Sequence, residues 1–422
     1  MKVIFVSIGS HGDVLPFIGL AAEMRRRSYE VLLAAPGHFE TLATQARLPF
    51  HPLGSQADYD EAIADPNLWH PRKGATLLLG YALKLMPVVD AFLGQEAERG
   101  PILVVASTLS LGARIAQDRL GLDVITVHLA PFIFRSRHAP PIIPGVPLPR
   151  WLPNRLKHSI QLGAEKYVLN PVSLPAVNAY RAEFNLPAVD RLRTWWHSPQ
   201  RIILMVPSWF APPQEDWPHR TVQTGFPRVD TFGDAGTLSP SLAAFVEGGE
   251  PPLVFTYGSA MRQAGRFFET AVAICRRMGR RGVLLAPQNG QIPDNLPASV
   301  FRAAYAPLSA LLPYSAGLIH HGGIGTVAEG LAAGVPQLIV PVAFDHFDEG
   351  ERLRRLGIGM TLSRRRFTPS RASRCLNTLL HSATVAGACK EAKERTAQEN
   401  GIKVCCGIIE RFARRRTSPN TA

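Results

Sequence analysis

The chain of 422 residues is long enough for two or three domains, and with 46% apolar and 19% charged residues it can bury a core, which excludes whole-chain disorder. Its formal net charge of +13 is uneven: residues 351–374 hold +7 and residues 390–416 hold +4, so a near-neutral body carries a basic C-terminal end. Five cysteines without C-x-x-C spacing fit free thiols rather than a zinc site, and residues 74–93, the most apolar stretch, are interrupted by Lys84 and Asp90.

In chain order, an apolar run at residues 3–8 meets a Gly/Asp turn too early for a signal peptide, and residues 16–24 have helical spacing. Strand-length apolar runs recur at 30–35, 50–53, 101–106 and 123–128, with a helical stretch at 109–120. Short apolar runs alternating with amphipathic helices predict parallel strands covered on both faces, an α/β doubly wound sheet whose ligands sit beyond the carboxyl ends of its strands. Residues 132–153, rich in Pro and Arg, predict no regular structure, while 156–180 read as helix and 201–206 as strand. The polar segment 228–240, containing Gly233, Asp234 and Gly236, is the expected linker. The pattern then restarts, with strands at 253–256, 282–286, 317–320 and 337–340 and helices at 267–278 and 326–332. The expected division is 1–232, 233–400 and a C-terminal helix with basic tail at 401–422: two Rossmann-like halves facing across a cleft.

Each half has one strand–glycine–helix junction. In the second, residues 317–330 read G-L-I-H-H-G-G-I-G-T-V-A-E-G. Gly322, Gly323 and Gly325 remove side chains where backbone N–H groups meet an anion, and the helix dipole adds roughly 0.3–2 kcal/mol for negative charge. His320 and Thr326 add an imidazole and a hydroxyl. The loop lacks the Lys of a Walker A motif and the full dinucleotide spacing, and a ligand-free tight turn uses the same glycines. Context favours a ligand. Tyr305, followed by Ala306 and Pro307, offers an aromatic face for a base, and Asp345 and His346 follow the next strand. A base platform, a phosphate cradle and a hydroxyl-binding carboxylate together describe a nucleotide-sugar site.

On these residues the second half resembles the donor-binding domain of GT-B nucleotide-sugar glycosyltransferases, over roughly residues 251–362. The first half resembles their acceptor domain through G-S-H-G-D-V-L-P at 9–16. W-W-H-S-P-Q (195–200), W-F-A-P-P-Q-E-D-W-P (209–218), T-G-F-P (224–227) and D-P-N-L-W (65–69) resemble, more narrowly, the rhamnosyltransferase chains of bacterial rhamnolipid synthesis. The resemblance implies inverting transfer without a metal or cofactor. Asp13 is then the general base, with His11 as runner-up, and helix capping is the alternative role for Asp13. It also implies diphosphate contacts from Ser259, His320, Gly325 and Thr326, base stacking on Tyr305 with backbone contacts from Ala306, and sugar hydroxyls on Asp345. His346 stands where Gln is usual, and Leu308 replaces a ribose-contacting Gln of plant relatives. The implied donor is dTDP-L-rhamnose and the acceptor a hydrophobic hydroxylated lipid such as a 3-(3-hydroxyalkanoyloxy)alkanoate. The alternatives are UDP-glucose with a sterol, carotenoid or polyketide aglycone, and a non-catalytic partner that binds nucleotide sugar.

Asp58-Tyr59-Asp60 spells the D-x-D of metal-dependent transferases, a tripeptide that also arises by chance. Trp69, Phe132 and Phe134 suit an acceptor pocket or core packing equally. The basic C-terminal end reads as a solvated helix face, or as attraction to anionic lipid in a cytoplasmic protein peripheral to the inner membrane. No aromatic-interleaved basic motif points to nucleic acid.

Overall fold

The computed structural model describes residues 1–146, 148–149, 151–229, 236–258, 261, 263–287 and 290–417. The apolar runs form strands shielded on both sides: Val3, Ile4, Phe5 and Val6 are wholly buried, as are Leu253, Val254 and Phe255. The first sheet contains β1 (Lys2–Val6), β2 (Val31–Ala35), β3 (Phe50–Pro52), β4 (Ile102–Ser107), β5 (Asp123–His128), β6 (Arg201–Leu204) and β7 (Thr221–Gln223), in the order 3-2-1-4-5-6-7. The second contains β8 (Leu253–Thr256), β9 (Gly282–Leu285), β10 (Val300–Ala303), β11 (Gly317–His320), β12 (Gln337–Ile339) and β13 (Gly359–Thr361), in the order 10-9-8-11-12-13. Every pairing is parallel. Each apolar run is long enough only for a strand, so the intervening segment must carry the chain back along the sheet face.

β7, β10 and β13 were not anticipated. They lie at sheet edges, where residues such as Arg302 and Thr361 are exposed, so no unbroken apolar run marks them. The expected helix at 156–180 is a longer helical run, Asn154–Ala164 and Asn170–Ala182 joined through a π-helical turn at Glu165–Leu169. Helix Gly74–Glu98 is long and apolar enough to cross a membrane by length and composition. In the fold it places Leu85, Met86, Val89 and Leu93 in the core, and Asp90 accepts hydrogen bonds from Arg119 and the Tyr180 hydroxyl.

Among residues expected to link the halves, 230–235 lie outside the described residues. A shared apolar cluster joins the two domains behind the cleft, with Phe134, Leu204, Phe210 and Phe226 packed against Val327, Leu331, Ile339 and Leu353. The last helix, Gly401–Thr417, returns to the first domain. Cys405, Cys406 and Ile409 enter the core beside Phe17 and Leu20, while Lys403, Arg411, Arg414 and Arg415 face solvent. The basic end is thus the solvated side of an amphipathic helix.

Candidate functional site

Each sheet reverses its strand order once, between β1 and β4 and between β8 and β11. At such a point successive loops diverge and leave a crevice beyond the carboxyl ends of the strands. The two crevices face one another and form a single cavity of about 1470 Å³, lined by Asp13 and His11 from one domain and by Tyr305, His321, Gly325, Thr326 and Asp345 from the other.

In the first loop Gly9 adopts φ +140°, and a Cβ there would lie 2.4 Å from Asp13 Oδ2. Glycine therefore allows the carboxylate to fold back over the turn. Asp13 Oδ2 accepts from the Ser10 backbone N–H at 2.8 Å and from the Ser10 hydroxyl at 3.0 Å, closing a capping box on helix His11–Arg26. The capping role is present, and Asp13 still lines the cavity. Burial holds its pKa above the ordinary carboxylate range, against the opposing pull of the Ser10 bonds. His11 packs edge-on against His38 and Phe39, with ring centroids 5.3 and 5.0 Å away. Burial and the neighbouring His38 hold its pKa down to about 4, so its ring is neutral near pH 7.

The second loop is built the same way but left open. Gly322 has φ +106°, Gly323 is the N-cap of helix Ile324–Ala333, and among the described residues no side chain caps that helix. A Cβ on Gly323 would lie 2.6 Å from His321 Nε2, whereas nothing stands within 4 Å of the position on Gly325. Ile324, Gly325 and Thr326 line the cavity, so the first helical turn offers N–H groups and the positive dipole end to an anion.

His320, expected at the diphosphate, is placed differently. It is fully buried, its Nδ1 accepts from the Gly322 N–H at 3.2 Å, and its Nε2 lies 2.9 Å from Gln337 Oε1. Both ring nitrogens are used internally, and the residue is not part of the cavity wall. Adjacent strand residues point to opposite faces, so it is His321 that reaches the cavity. His321 Nδ1 is shut off from solvent with no hydrogen-bond partner among the described residues, and burial holds the ring's pKa to about 4.

Asp345 stands at the N-cap of helix His346–Arg355. Burial and the charges of Asp13 and Asp348 push its pKa up to about 7. Asp13 and Asp345 thus line the same cavity from opposite domains. His346 Nδ1 accepts from the Ala343 N–H at 3.3 Å, and its ring meets His321 edge-on at 4.6 Å. Trp69, from the first domain, stacks on His346 at 6.2 Å and meets Phe344 at 5.7 Å. It therefore lies at the seam between domains rather than in either core. Nothing in its local sequence marks that position, because its partners are some 275 residues away. Tyr305 is 61% exposed on the cavity rim and Ala306 is buried behind it. Ser259 lies outside the described residues. Asp58 is committed to Ser55 in a second capping box, which explains that acidic position without a metal.

Residues 3–99 match the family model of the glycosyltransferase family 28 N-terminal domain, and residues 283–410 that of the erythromycin biosynthesis protein CIII-like C-terminal domain. The chain is 28% identical, over the whole of both chains, to the O-mycaminosyltylonolide 6-deoxyallosyltransferase of Streptomyces fradiae. Among solved structures, the kitacinnamycin glycotransferase shares the fold with a TM-score of 0.76 at 20% identity, covering 97% of this chain and 98% of its own. Glycosyltransferase VinC in complex with dTDP does so with a TM-score of 0.70 at 19% identity, covering 98% and 100%. The relatives include antibiotic glycosyltransferases and a sterol 3-beta-glucosyltransferase of Arabidopsis thaliana, and they do not single out rhamnolipid enzymes. With one match over the first three strands of the first sheet and the other over most of the second, each half is similar to a glycosyltransferase domain, and the fold is the two-domain GT-B fold of nucleotide-sugar glycosyltransferases.

Proposed function

We propose that the protein is an inverting, metal-independent transferase that moves L-rhamnose from dTDP-L-rhamnose to the hydroxyl of a lipid such as a 3-(3-hydroxyalkanoyloxy)alkanoate. The observation that carries the transferase chemistry is the shared cavity, with Asp13 on one side and an uncapped helix start on the other. Asp13 accepts the proton of the acceptor hydroxyl. The acceptor oxygen then bonds to the anomeric carbon as the bond to the diphosphate oxygen breaks, and the nucleoside diphosphate leaves with the electron pair. The N–H groups at Gly325 and Thr326 receive the developing charge, and losing one such preorganised donor typically costs about 3–4 kcal/mol of barrier. His321, which lines the cavity with its Nε2 beside Gly323, takes the diphosphate role expected of His320. Tyr305 and Ala306 hold the base, and Asp345 and His346 the sugar hydroxyls. The ionised form of Asp13 is required, so its raised pKa moves the acid limb of the rate profile upward.

The sugar and the lipid rest on the motifs at 65–69, 195–200, 209–218 and 224–227. The apolar wall formed by Leu77, Val88, Phe132 and Ile133 suits a hydrophobic acceptor. The second reading, transfer to a polyketide aglycone, is favoured by the full-length similarity to the Streptomyces fradiae enzyme. Purified protein incubated with dTDP-L-rhamnose or UDP-glucose, each paired with hydroxylated fatty-acid esters or macrolide aglycones, separates them by product mass. Rhamnosylated lipid is the expected product. Glucosylated or macrolide product alone sinks the rhamnose–lipid assignment. Contact with the inner membrane follows from the lipid acceptor.

A further inference from the structure

The segment from Arg135 to residue 182 contains seven Lys or Arg and a single acid, Glu165, although everything before residue 351 sums to only +2. Glu165 is itself buried and paired with Arg135 and Arg191, while Arg137 pairs with Asp216 and Arg181 with Asp118. On the outside of this segment lie large apolar side chains that nothing among the described residues covers. Trp151 is 80% exposed, Tyr167 72%, Val168 55% and Leu156 48%. Pro171 and Val172 continue the exposed face along the same helical run, and Arg155 and Lys166 are exposed beside it. Lys166 Nζ sits 5.3 Å from the centre of the Tyr167 ring. The same segment reaches the cavity, because Phe132 and Ile133 immediately before it form part of the wall.

We propose that this face docks on an anionic lipid bilayer. Amphipathic Trp and Tyr among apolar side chains, rimmed by cations, match the interface between headgroups and acyl chains. A twofold contact between copies would set the same cations against one another, which argues against a second copy as occupant. The inference rests on the lipid-acceptor reading and locates the surface that would take the acceptor from the membrane. It differs from attraction by the C-terminal helix, whose cations lie on another element.

Sedimentation with vesicles tests it. The protein should bind phosphatidylcholine vesicles containing phosphatidylglycerol, and bind pure phosphatidylcholine vesicles weakly. W151S/Y167S should weaken binding at least tenfold, and R155E/K166E about 30-fold at low salt, from roughly 1 kcal/mol per cation removed. R411E/R414E/R415E should change it little. Unaltered transfer to a short, water-soluble acceptor shows that each variant is folded. Vesicle binding unaffected by the first two variants overturns the proposal. So does a dimer in solution that W151S/Y167S dissociates, or binding abolished only by the C-terminal changes. If vesicles bind as stated but no lipid is glycosylated, the acceptor assignment falls and the docking surface stands.

A second observation is independent of the first. Trp196 Nε1 donates to His197 Nε2 at 3.1 Å, His197 Nδ1 lies 2.9 Å from His128 Nε2, and His128 Nδ1 lies 2.7 Å from Thr108 Oγ1. An indole N–H only donates, so the direction of the whole chain is set. Each neutral imidazole then carries its proton on Nδ1, and Thr108 Oγ1 accepts from His128. The geometry points to Thr108 as a hydroxyl donor aimed at an oxygen of the acceptor, since it stands at the end of β4 and lines the cavity. T108V should raise the acceptor KM about tenfold, the usual loss for a neutral hydrogen bond, with the donor KM unchanged, and T108S should restore it. An unchanged acceptor KM overturns this, as does a nitrogen-15 spectrum placing the His197 proton on Nε2.

Discussion

The molecule builds the same strand–glycine–helix junction twice and finishes the two differently. At residues 9–13 the glycine turn receives the chain's own carboxylate: Asp13 occupies the helix start, with Ser10 as its partner. At residues 322–326 the turn is equally tight, yet among the described residues no carboxylate caps it and nothing stands within 4 Å of a Cβ position on Gly325. A helix start attracts one negative group. On the proposed function, the loop offers a base where the sequence supplies that group, and a seat for a ligand's charge where it does not. The division of labour between the domains reduces to one carboxylate present in the first loop and missing from the second.

The most severe way to break this contrast is to remove the charge from the first loop. D13N keeps a polar group near Ser10, so the fold should survive, while turnover should fall about 1,000-fold with dTDP affinity unchanged by calorimetry. Undiminished turnover would eliminate Asp13 as base, and turnover lost together with nucleotide binding would mean that the loop is structural. The reciprocal change copies the first loop into the second. A carboxylate in G325D should occupy the helix start and lower dTDP affinity about 100-fold, a loss that high salt partly relieves. Affinity within twofold of the parent would show that the diphosphate lies elsewhere.

A sharper test distinguishes the two adjacent histidines. H321A should weaken dTDP binding about tenfold and leave the melting temperature near the parent value. H320A should do the reverse, because it strips Gln337 and the Gly322 N–H of their partner. The smallest effect concerns Asp345. Its folded pKa of about 7 lies above the unfolded value of 3.8, so ionising it opposes folding increasingly between these pH values. D345N should therefore raise the melting temperature by a few degrees at pH 8 and leave it unchanged near pH 3.5. An equal shift at both pH values would mean that the gain comes from packing.

The doubly wound halves, the strand ends at 128, 256 and 320, and the glycine junctions were legible because buried parallel strands leave apolar runs and tight turns leave glycines. Three of the four edge strands, β7, β10 and β13, left no such mark. His320 lies behind the cavity wall for a specific reason. Alternation along a strand says that His320 and His321 face opposite ways, but which one faces inward depends on Gln337, a polar side chain of the neighbouring strand. Trp69 is the complementary case: its residues were noted, but its place at the seam depends on a partner in the other domain. The capping of helix His11–Arg26 by Asp13 was legible, since a carboxylate three residues after a serine completes a capping box.

The return of the C-terminal helix to the first domain carries a mechanical consequence. The polypeptide returns to the first half at 398–401, where Gly401 packs so closely that a Cβ would lie 2.4 Å from the Gly225 carbonyl oxygen. A return fastened this tightly acts like the pin of a door, resisting slide between the halves. Trimming the final helix would unpin the door and strip apolar cover from its frame, so neither half is a free-standing module.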